Sequence, residues 1–412
     1  MSGTTGRGSG AAGPAIHPVG GPVLVFNAGS STLKASIVGV TPEGRPAPAP
    51  LAALTIEWGS DASREAAVTA GVDSALAGLR DQGAQPADCV AVAHRVVHGG
   101  DGFRAPAIVD EAAILAIEAL APLAPLHNPV AAATIRAARE RLPTLPHVAV
   151  FDTAFHATLP EAAWRYPLPA DWESWGIRRY GFHGLSVAWA VERAAALLGR
   201  PAGDLSLVVA HLGSGCSVTA VERGRSAWTS MGMTPLEGLM MGTRAGSVDP
   251  GILLAVLRDG RRTLGALAED LDHRSGLLGV SGSAAGMREL EISAGGGDER
   301  AALAIAMFVD RAAAGIAAAA TALPRLDALV FTGGIGEHAR DVCAAIIGRL
   351  RVLAVPQMPD DRRENPGADT VLADTGRPGV PVVLRVLARE DVVAARAALR
   401  LARPGHPLGG QA

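Results

Sequence analysis

Three cysteines in 412 residues, none in a C-x-x-C pair, give no zinc signature and fit a reducing compartment. Cys89, Cys216 and Cys343 read as small core residues. Cys216 follows a glycine loop, but the sequence places no base beside it to make it a nucleophile. Aromatic residues are scarce too, at 4%. No apolar run is long enough to span a bilayer, since the longest alanine-rich stretch, Ala312 to Leu323, is short and follows Asp310 and Arg311. A formal charge of −3 argues against a nucleic-acid binder, which would carry a concentrated basic face. Residues 1–21 are rich in Gly, Ser, Ala and Pro and have no apolar core of a signal peptide. They are expected to form a disordered leader in a cytoplasmic protein, with a frayed tail from Pro404 to Ala412. The rest, in a chain 49% hydrophobic and 19% charged, is globular and long enough for two domains.

Glycine is what the chain has in quantity, and three of its glycine turns follow apolar strands. The first is Val23-Leu24-Val25-Phe26, then Asn27-Ala28-Gly29-Ser30-Ser31-Thr32, then a second strand bearing Lys34. Gly29 lets the backbone approach a ligand, and the hydroxyl residues bring groups that hold phosphate oxygens. A plain hairpin turn would use the same residue types. Leu207 to Val218, around His211-Leu212-Gly213-Ser214-Gly215, repeats the pattern, and Ala328 to His338 carries Gly333, Gly334 and Gly336. None is a Walker loop or a G-x-G-x-x-G loop. Two strand-turn-strand loops and a third glycine loop point to a nucleotide between two similar halves.

Helices are expected at Ala62–Gln82 with Ser63 as cap, Asp110–Leu120, Asn128–Arg141 with Pro129 in its first turn, Leu185–Leu198, Thr263–Leu271, Glu299–Leu323 and Asp391–Ala402. Strands are expected at Val90–Val97, Leu145–Phe151 and Val380–Leu387, with Tyr166–Gly184 irregular. The mixture makes the class α/β.

The polar constellations narrow the chemistry. His94 and His98 are four apart, which on a helix could bind zinc, but Val96, Val97 and Gly99-Gly100 argue for strand and turn and for packed histidines. Arg95 between them offers a fork for phosphate or carboxylate oxygens. Asp152 ends an apolar strand, where ligand crevices of α/β sheets open; an N-cap would read the same way. Arg179 to Gly184 sets His183 among glycines, and the glycine-rich loop Met231 to Gly251 holds Arg244. Two arginines, a histidine and an anion-binding glycine frame suit phosphoryl transfer, which is mostly positioning plus charge stabilisation.

With these segments on view, the chain resembles the acetokinase family, within the acetate and sugar kinase/Hsp70/actin superfamily. Matching pieces run in family order: Asn27–Lys34, His94–Gly100, Ala124–Pro129, Phe151–His156, Arg179–Ser186, His211–Ser217, Met231–Gly251, Ser275–Gly282 and Phe331–Glu337. The resemblance implies two ribonuclease-H-like domains of actin/Hsp70 type with an interdomain nucleotide cleft. Residues 22–156 with a returning helix in 388–404 would form one; residues 157–387 would form the other and carry nucleotide binding and dimerisation. It implies reversible phosphoryl transfer between ATP and acetate, giving acetyl phosphate and ADP, with Mg²⁺ (or Mn²⁺), in a homodimer with no nucleic-acid or membrane partner. By the same resemblance Asn27 and Glu390 lie at the metal, Arg95 and Arg244 grip acetate and the transferred group, His183 donates to that group, and Asp152 orients the arginines. Val97, Leu126, Phe182 and Pro235 match the pocket for the acetate methyl. Lys34, His211, Gly213, Ser214 and Gly215 match the phosphate loops, Gly333, Gly334, Ile335 and Gly336 the adenosine loop, and Arg288 the nucleotide pocket.

The chain departs from the family pattern at Ser214 (Asn in the family), Gly286 (an Asp that partners the ribose hydroxyls), Ser247 (Asp) and Ala388-Arg389-Glu390-Asp391 (Thr-Asn-Glu-Glu). Ser214 and Gly286 motivate a second reading, a propionate, butyrate or pyrophosphate-using relative. A third, a nucleotide-binding module without turnover, has no need of Arg95, Asp152, His183 and Arg244 together.

Overall fold

The computed structural model describes residues 20–29, 32–41, 43–47, 49–58, 65–359 and 367–402. The expected leader up to residue 19, the hydroxyls of Ser30 and Ser31, the Ser63 cap and the tail from Pro404 lie outside them.

Two six-stranded sheets repeat one topology. The first comprises β1 (Gly21–Ala28), β2 (Thr32–Val40), β3 (Ala52–Glu57), β4 (Ala91–Val96), β5 (Ala107–Ile108) and β6 (His147–Phe151), in the order β3-β2-β1-β4-β6-β5. The second comprises β7 (Ser206–Leu212), β8 (Cys216–Glu222), β9 (Arg225–Thr229), β10 (Ala328–Thr332), β11 (Thr370–Ala373) and β12 (Val382–Arg385), in the order β11-β12-β10-β7-β8-β9. In each, three antiparallel strands lead into two parallel ones: β1 pairs β2 antiparallel and β4 parallel, as β7 pairs β8 and β10.

Val23 to Phe26 is apolar throughout because both faces of β1 are covered. Leu24 and Phe26 pack with Val68, Val72 and Leu76 of the helix Glu65–Asp81 and Val130 of the helix Asn128–Arg141. Val23 and Val25 join a core that spans both halves, with Val187 and Val191 of the helix Gly184–Leu198, Val392 and Ala395 of the helix Glu390–Leu401, and Val209 and Val330 of the second sheet. The closing helix Glu390–Leu401 thus returns to the first sheet.

Local chemistry sets several boundaries. Asp110 accepts from the Ala113 N–H at 2.8 Å and starts the helix Glu111–Ala119. β6 begins at His147 rather than Leu145 because Pro146 offers no ladder N–H. The irregular Tyr166–Gly184 segment contains a 3₁₀ turn, Ala170–Trp175, closed by left-handed Gly176. The alanine-rich Ala312–Leu323 stretch is not separate: it ends a 22-residue helix, Glu299–Ala320, long and apolar enough by length and composition to cross a bilayer. Here its Ala304, Phe308, Ala312 and Ile316 are buried among Val218, Ala220 and Leu329 of the second sheet.

Candidate active site

β1, β4 and β6 deliver Asn27, Arg95 and Asp152 to one end of the first sheet, because Asn27 and Arg95 are register partners and Asp152 directly follows β6. Asp152 is fully buried. Arg95 grips it with both ends of its fork, Nε to Oδ1 at 2.9 Å and Nη2 to Oδ2 at 2.5 Å, while Nη1 donates to Asn27 Oδ1 at 2.9 Å. Glu390, in the first turn of the closing helix, completes the cluster: Asn27 Nδ2 donates to Oε2 at 3.3 Å, Ser186 Oγ to Oε1 at 2.7 Å, and Arg95 Nε lies 3.4 Å from Oε2. Burial alone would lower the Arg95 guanidinium; Asp152 and Glu390 outweigh it and raise it above its ordinary value. Burial pushes the Asp152 carboxyl above its ordinary value, and the guanidinium fork opposes that without reversing it.

The second half supplies His183, His211 and the glycine turn between β7 and β8. His183 adopts φ 60°, a left-handed conformation uncommon outside glycine. It is locked there by the next residue, since Gly184 donates to Asp152 O at 3.0 Å and a Cβ on Gly184 would lie 2.1 Å from that oxygen. The His183 ring stacks on His211 at 4.1 Å between centroids, and its Nδ1 meets Ser217 Oγ at 2.9 Å. Burial, then His211, Arg95 and Arg244, push the His183 imidazole well below its usual range, and burial brings His211 to about 4. Both rings are neutral near pH 7.

Arg244 is fixed by its Nη1 bond to Pro235 O at 2.8 Å. A Cβ on Gly215 would sit 3.3 Å from His183 Nε2 and 3.5 Å from Arg244 Nη2, so histidine and arginine converge on one spot beside the turn. Beyond it, Gly333 has φ 77°, and a Cβ there would come within 2.8 Å of Leu212 O. Gly334 faces open space. Glu337 ties this loop to the chain leading into the closing helix, accepting from Gly333 N at 3.0 Å and Ala388 N at 2.9 Å.

One open cleft of about 920 Å³ is lined by Asn27, Lys34, Arg95, His183, His211, Gly213, Ser214, Gly215, Gly333, Gly334, Glu337 and Glu390; Arg244 and Asp152 are not among its lining residues. In this cleft Asn27 Oδ1 and the Glu390 carboxylate are hard oxygens of the kind Mg²⁺ takes one or two of beside substrate phosphates; here Asn27 Oδ1 accepts from Arg95 Nη1, and Asn27 meets Glu390 through its Nδ2. Among the described residues no group of three or more His, Cys, Asp or Glu could hold a metal alone.

Other expected positions fall elsewhere. Arg288 is exposed in the first turn of the helix Met287–Gly295 and does not line the cleft. Glu289 carries its carboxylate to within 1.8 Å of where a Cβ on Gly286 would stand, so the space left by the missing side chain is taken. Ile335 and Gly336 are buried in the short helix Gly333–His338 behind the loop, Gly336 against Phe331. Val97 and Phe182 belong to one apolar cluster, whereas Leu126 is 37% exposed and outside it. His94 is no zinc ligand: it lies on β4 with Nε2 2.9 Å from His147 Nδ1. His98 turns to Met233 O. Sequence reasoning left out His127, whose imidazole burial and then Arg244 and Arg95 lower to about 4, together with Ser217 and Glu337. The matching segment Ala124–Pro129 was the signal for His127.

Comparison with known proteins identifies the family and the fold. The model of the acetokinase family matches residues 22–396. The chain is 44% identical over 385 residues to an acetate kinase of Deinococcus radiodurans, covering 90% of this chain and 96% of that one. It is 56% identical over 265 residues to an acetate kinase of Deinococcus deserti, covering 64% and 66%. Among solved structures, Porphyromonas gingivalis acetate kinase superposes with a TM-score of 0.78 at 32% identity, and a Francisella tularensis propionate kinase with 0.79 at 33%, each covering 92% of this chain and 99% of the other. The chain belongs to the acetokinase family.

Proposed function

We propose that the chain is an acetate kinase, transferring the terminal phosphoryl group of ATP to acetate, reversibly, to give acetyl phosphate and ADP. The observation that carries the reading is the convergence of His183 and Arg244 on one spot beside the Gly215 turn, in a cleft that Arg95 also lines. Direct in-line transfer leaves little covalent work to the protein, so catalysis is positioning and charge neutralisation. Arg95, oriented by Asp152, and Arg244, oriented by Pro235 O, supply positive charge to the carboxylate and the transferred phosphoryl oxygens. His183 donates a hydrogen bond there. Gly213, Ser214 and Gly215 from one side, with Gly333 and Gly334 from the other, offer backbone N–H groups to the nucleotide phosphates. Mg²⁺, when bound at Asn27 and Glu390, neutralises charge on those phosphates, and Mn²⁺ shares its oxygen-ligand chemistry.

The propionate kinase likeness supports a second reading, in which propionate is also used. One methylene is worth about 1–3 kcal/mol in an apolar pocket, so acetate and propionate should differ by roughly 10–200-fold. Acyl phosphate trapping with acetate, propionate and butyrate, crossed with ATP, GTP and pyrophosphate, tests both. Highest kcat/KM with acetate and ATP is expected; no turnover of acetate would overturn the reading. We also propose a cytoplasmic homodimer formed through the second half. Leu254 of the helix Pro250–Arg258 and Leu264 of the helix Leu264–His273, 66% and 75% exposed, support such a contact. A monomer by light scattering at micromolar concentration would refute it.

A further inference from the structure

Ser217 stands in β8, fully buried, and its hydroxyl has one hydrogen-bond partner among the described residues, His183 Nδ1 at 2.9 Å. The two tautomers of a neutral His183 use that contact differently. A proton on Nδ1 would be donated to Ser217 Oγ, leaving the hydroxyl hydrogen buried with no acceptor. A proton on Nε2 lets Ser217 O–H donate to the bare Nδ1, and only oxygen lone pairs go unused. An orphaned buried donor is rarer and costlier than an under-used acceptor. The second arrangement is therefore the favoured one, and it presents Nε2–H toward the spot beside Gly215 that Arg244 Nη2 also faces.

The surroundings agree from every side. Burial first, then His211 on β7, Arg95 on β4, Arg244 in the 231–249 loop and His156 after β6, disfavour a charged imidazolium at His183. Asp152 accepts a bond from the His183 main chain, not from its ring, so it does not set the tautomer. Cations on both sides draw an anion to this place, and a bare Nε2 lone pair would repel it.

We propose that Ser217 is a positioning residue that fixes the Nε2–H tautomer of His183, so that the imidazole meets the transferred phosphoryl group as a neutral hydrogen-bond donor. The proposal rests on the phosphoryl-transfer reading for its consequence, but the tautomer can be read without turnover. Histidine-selective ¹⁵N labelling of the full chain, followed by ring nitrogen spectra assigned with His183→Gln, reports it directly. The unmodified protein is expected to show a protonated Nε2 and a bare Nδ1, and a protonated Nδ1 would overturn the proposal. Ser217→Ala is expected to give mixed tautomers and to lower kcat, by less than the roughly 10⁴-fold that follows when a catalytic histidine is held wholly in the wrong tautomer, with the KM for ATP little changed. Ser217→Thr, which keeps the hydroxyl, is expected to restore both spectrum and kcat. Should Ser217→Ala fail to fold, the spectrum of the unmodified protein still decides the tautomer. Unchanged kcat in folded Ser217→Ala would refute the catalytic consequence. Absence of acetate turnover in the unmodified protein would instead refute the functional reading and leave the tautomer assignment to the spectrum.

Discussion

Asp152 touches the site through Arg95, and that indirect role makes a sharp prediction. Asp152→Asn keeps the shape but replaces one acceptor oxygen with an NH₂ aimed at the guanidinium. Of the bonds at 2.9 and 2.5 Å, at most one survives. Arg95 keeps Asn27 Oδ1 at 2.9 Å and Glu390 at 3.4 Å, so it shifts rather than leaves. Losing a hydrogen bond between charged groups costs about 1.5–3 kcal/mol, which in transition-state terms is roughly 10–150-fold in kcat/KM. Arg95→Ala is expected to cost at least as much, and it strands Asp152 as an unpaired buried carboxylate. The test is a double-mutant cycle on kcat/KM for acetate. If Asp152 acts by orienting Arg95, then adding Asp152→Asn to Arg95→Ala lowers kcat/KM by less than about threefold, well short of the tenfold or more that the same hydrogen-bond loss costs alone. Additive losses would refute the reasoning and give Asp152 a role of its own, for instance through the His183 main chain.

Gly215→Ala should lower kcat by roughly tenfold or more with little change in melting temperature, because the methyl enters the space shared by His183 and Arg244; unaltered kinetics would show that the spot is not the reaction site. Gly333→Ala should weaken ADP binding and destabilise the chain by about 1–3 kcal/mol, since φ 77° and a backbone oxygen at 2.8 Å exclude a Cβ; calorimetry and thermal melts check both. Burial lowers His98 and His156 to about 4, against about 6.5 when unfolded, so their contribution is complete above pH 6.5 and falls as pH drops toward 4, by about 1.4 kcal/mol per unit for each. Equal melting temperatures at pH 7.5 and 5.5 would contradict this. Removing divalent cations with a chelator should abolish phosphoryl transfer while leaving the far-ultraviolet dichroism intact, and Mg²⁺ should restore it; full activity in chelator would remove Asn27 and Glu390 from metal binding.

Much of the fold was legible because local rules and tertiary demands agreed. Pro129 in a first turn, then Val130, Thr134, Ile135 and Ala138 on one face, marks the helix Asn128–Arg141 at its observed bounds. The continuous apolar run of β1 signals a strand covered on both faces, and Asn27, Arg95 and Asp152 sit at strand ends where α/β clefts open. Leu126 and Arg288 show the limit of this reading. Motif position put them at a pocket, yet side-chain direction leaves Leu126 and Arg288 exposed. Gly286 was read as a loss, and only the fold reveals that Glu289, one helical turn on, fills the space.

The sequence by itself determined the long helices and core strands it marked, the two similar halves, the three glycine turns and the residue types of the cleft, because strand and helix periods, turn glycines and apolar runs act over a few residues; β3 and the helices Pro250–Arg258 and Met287–Gly295 were not legible in it. Tertiary structure alone decided the partnerships between residues far apart in the chain. Arg95 meets Asp152 and Glu390, His183 meets Ser217 and His211, and His98 reaches Met233 across the two halves. Each of these contacts is a hydrogen bond, ion pair or ring stack, satisfied only within a few ångströms and at particular angles, and no spacing along the chain encodes such a distance.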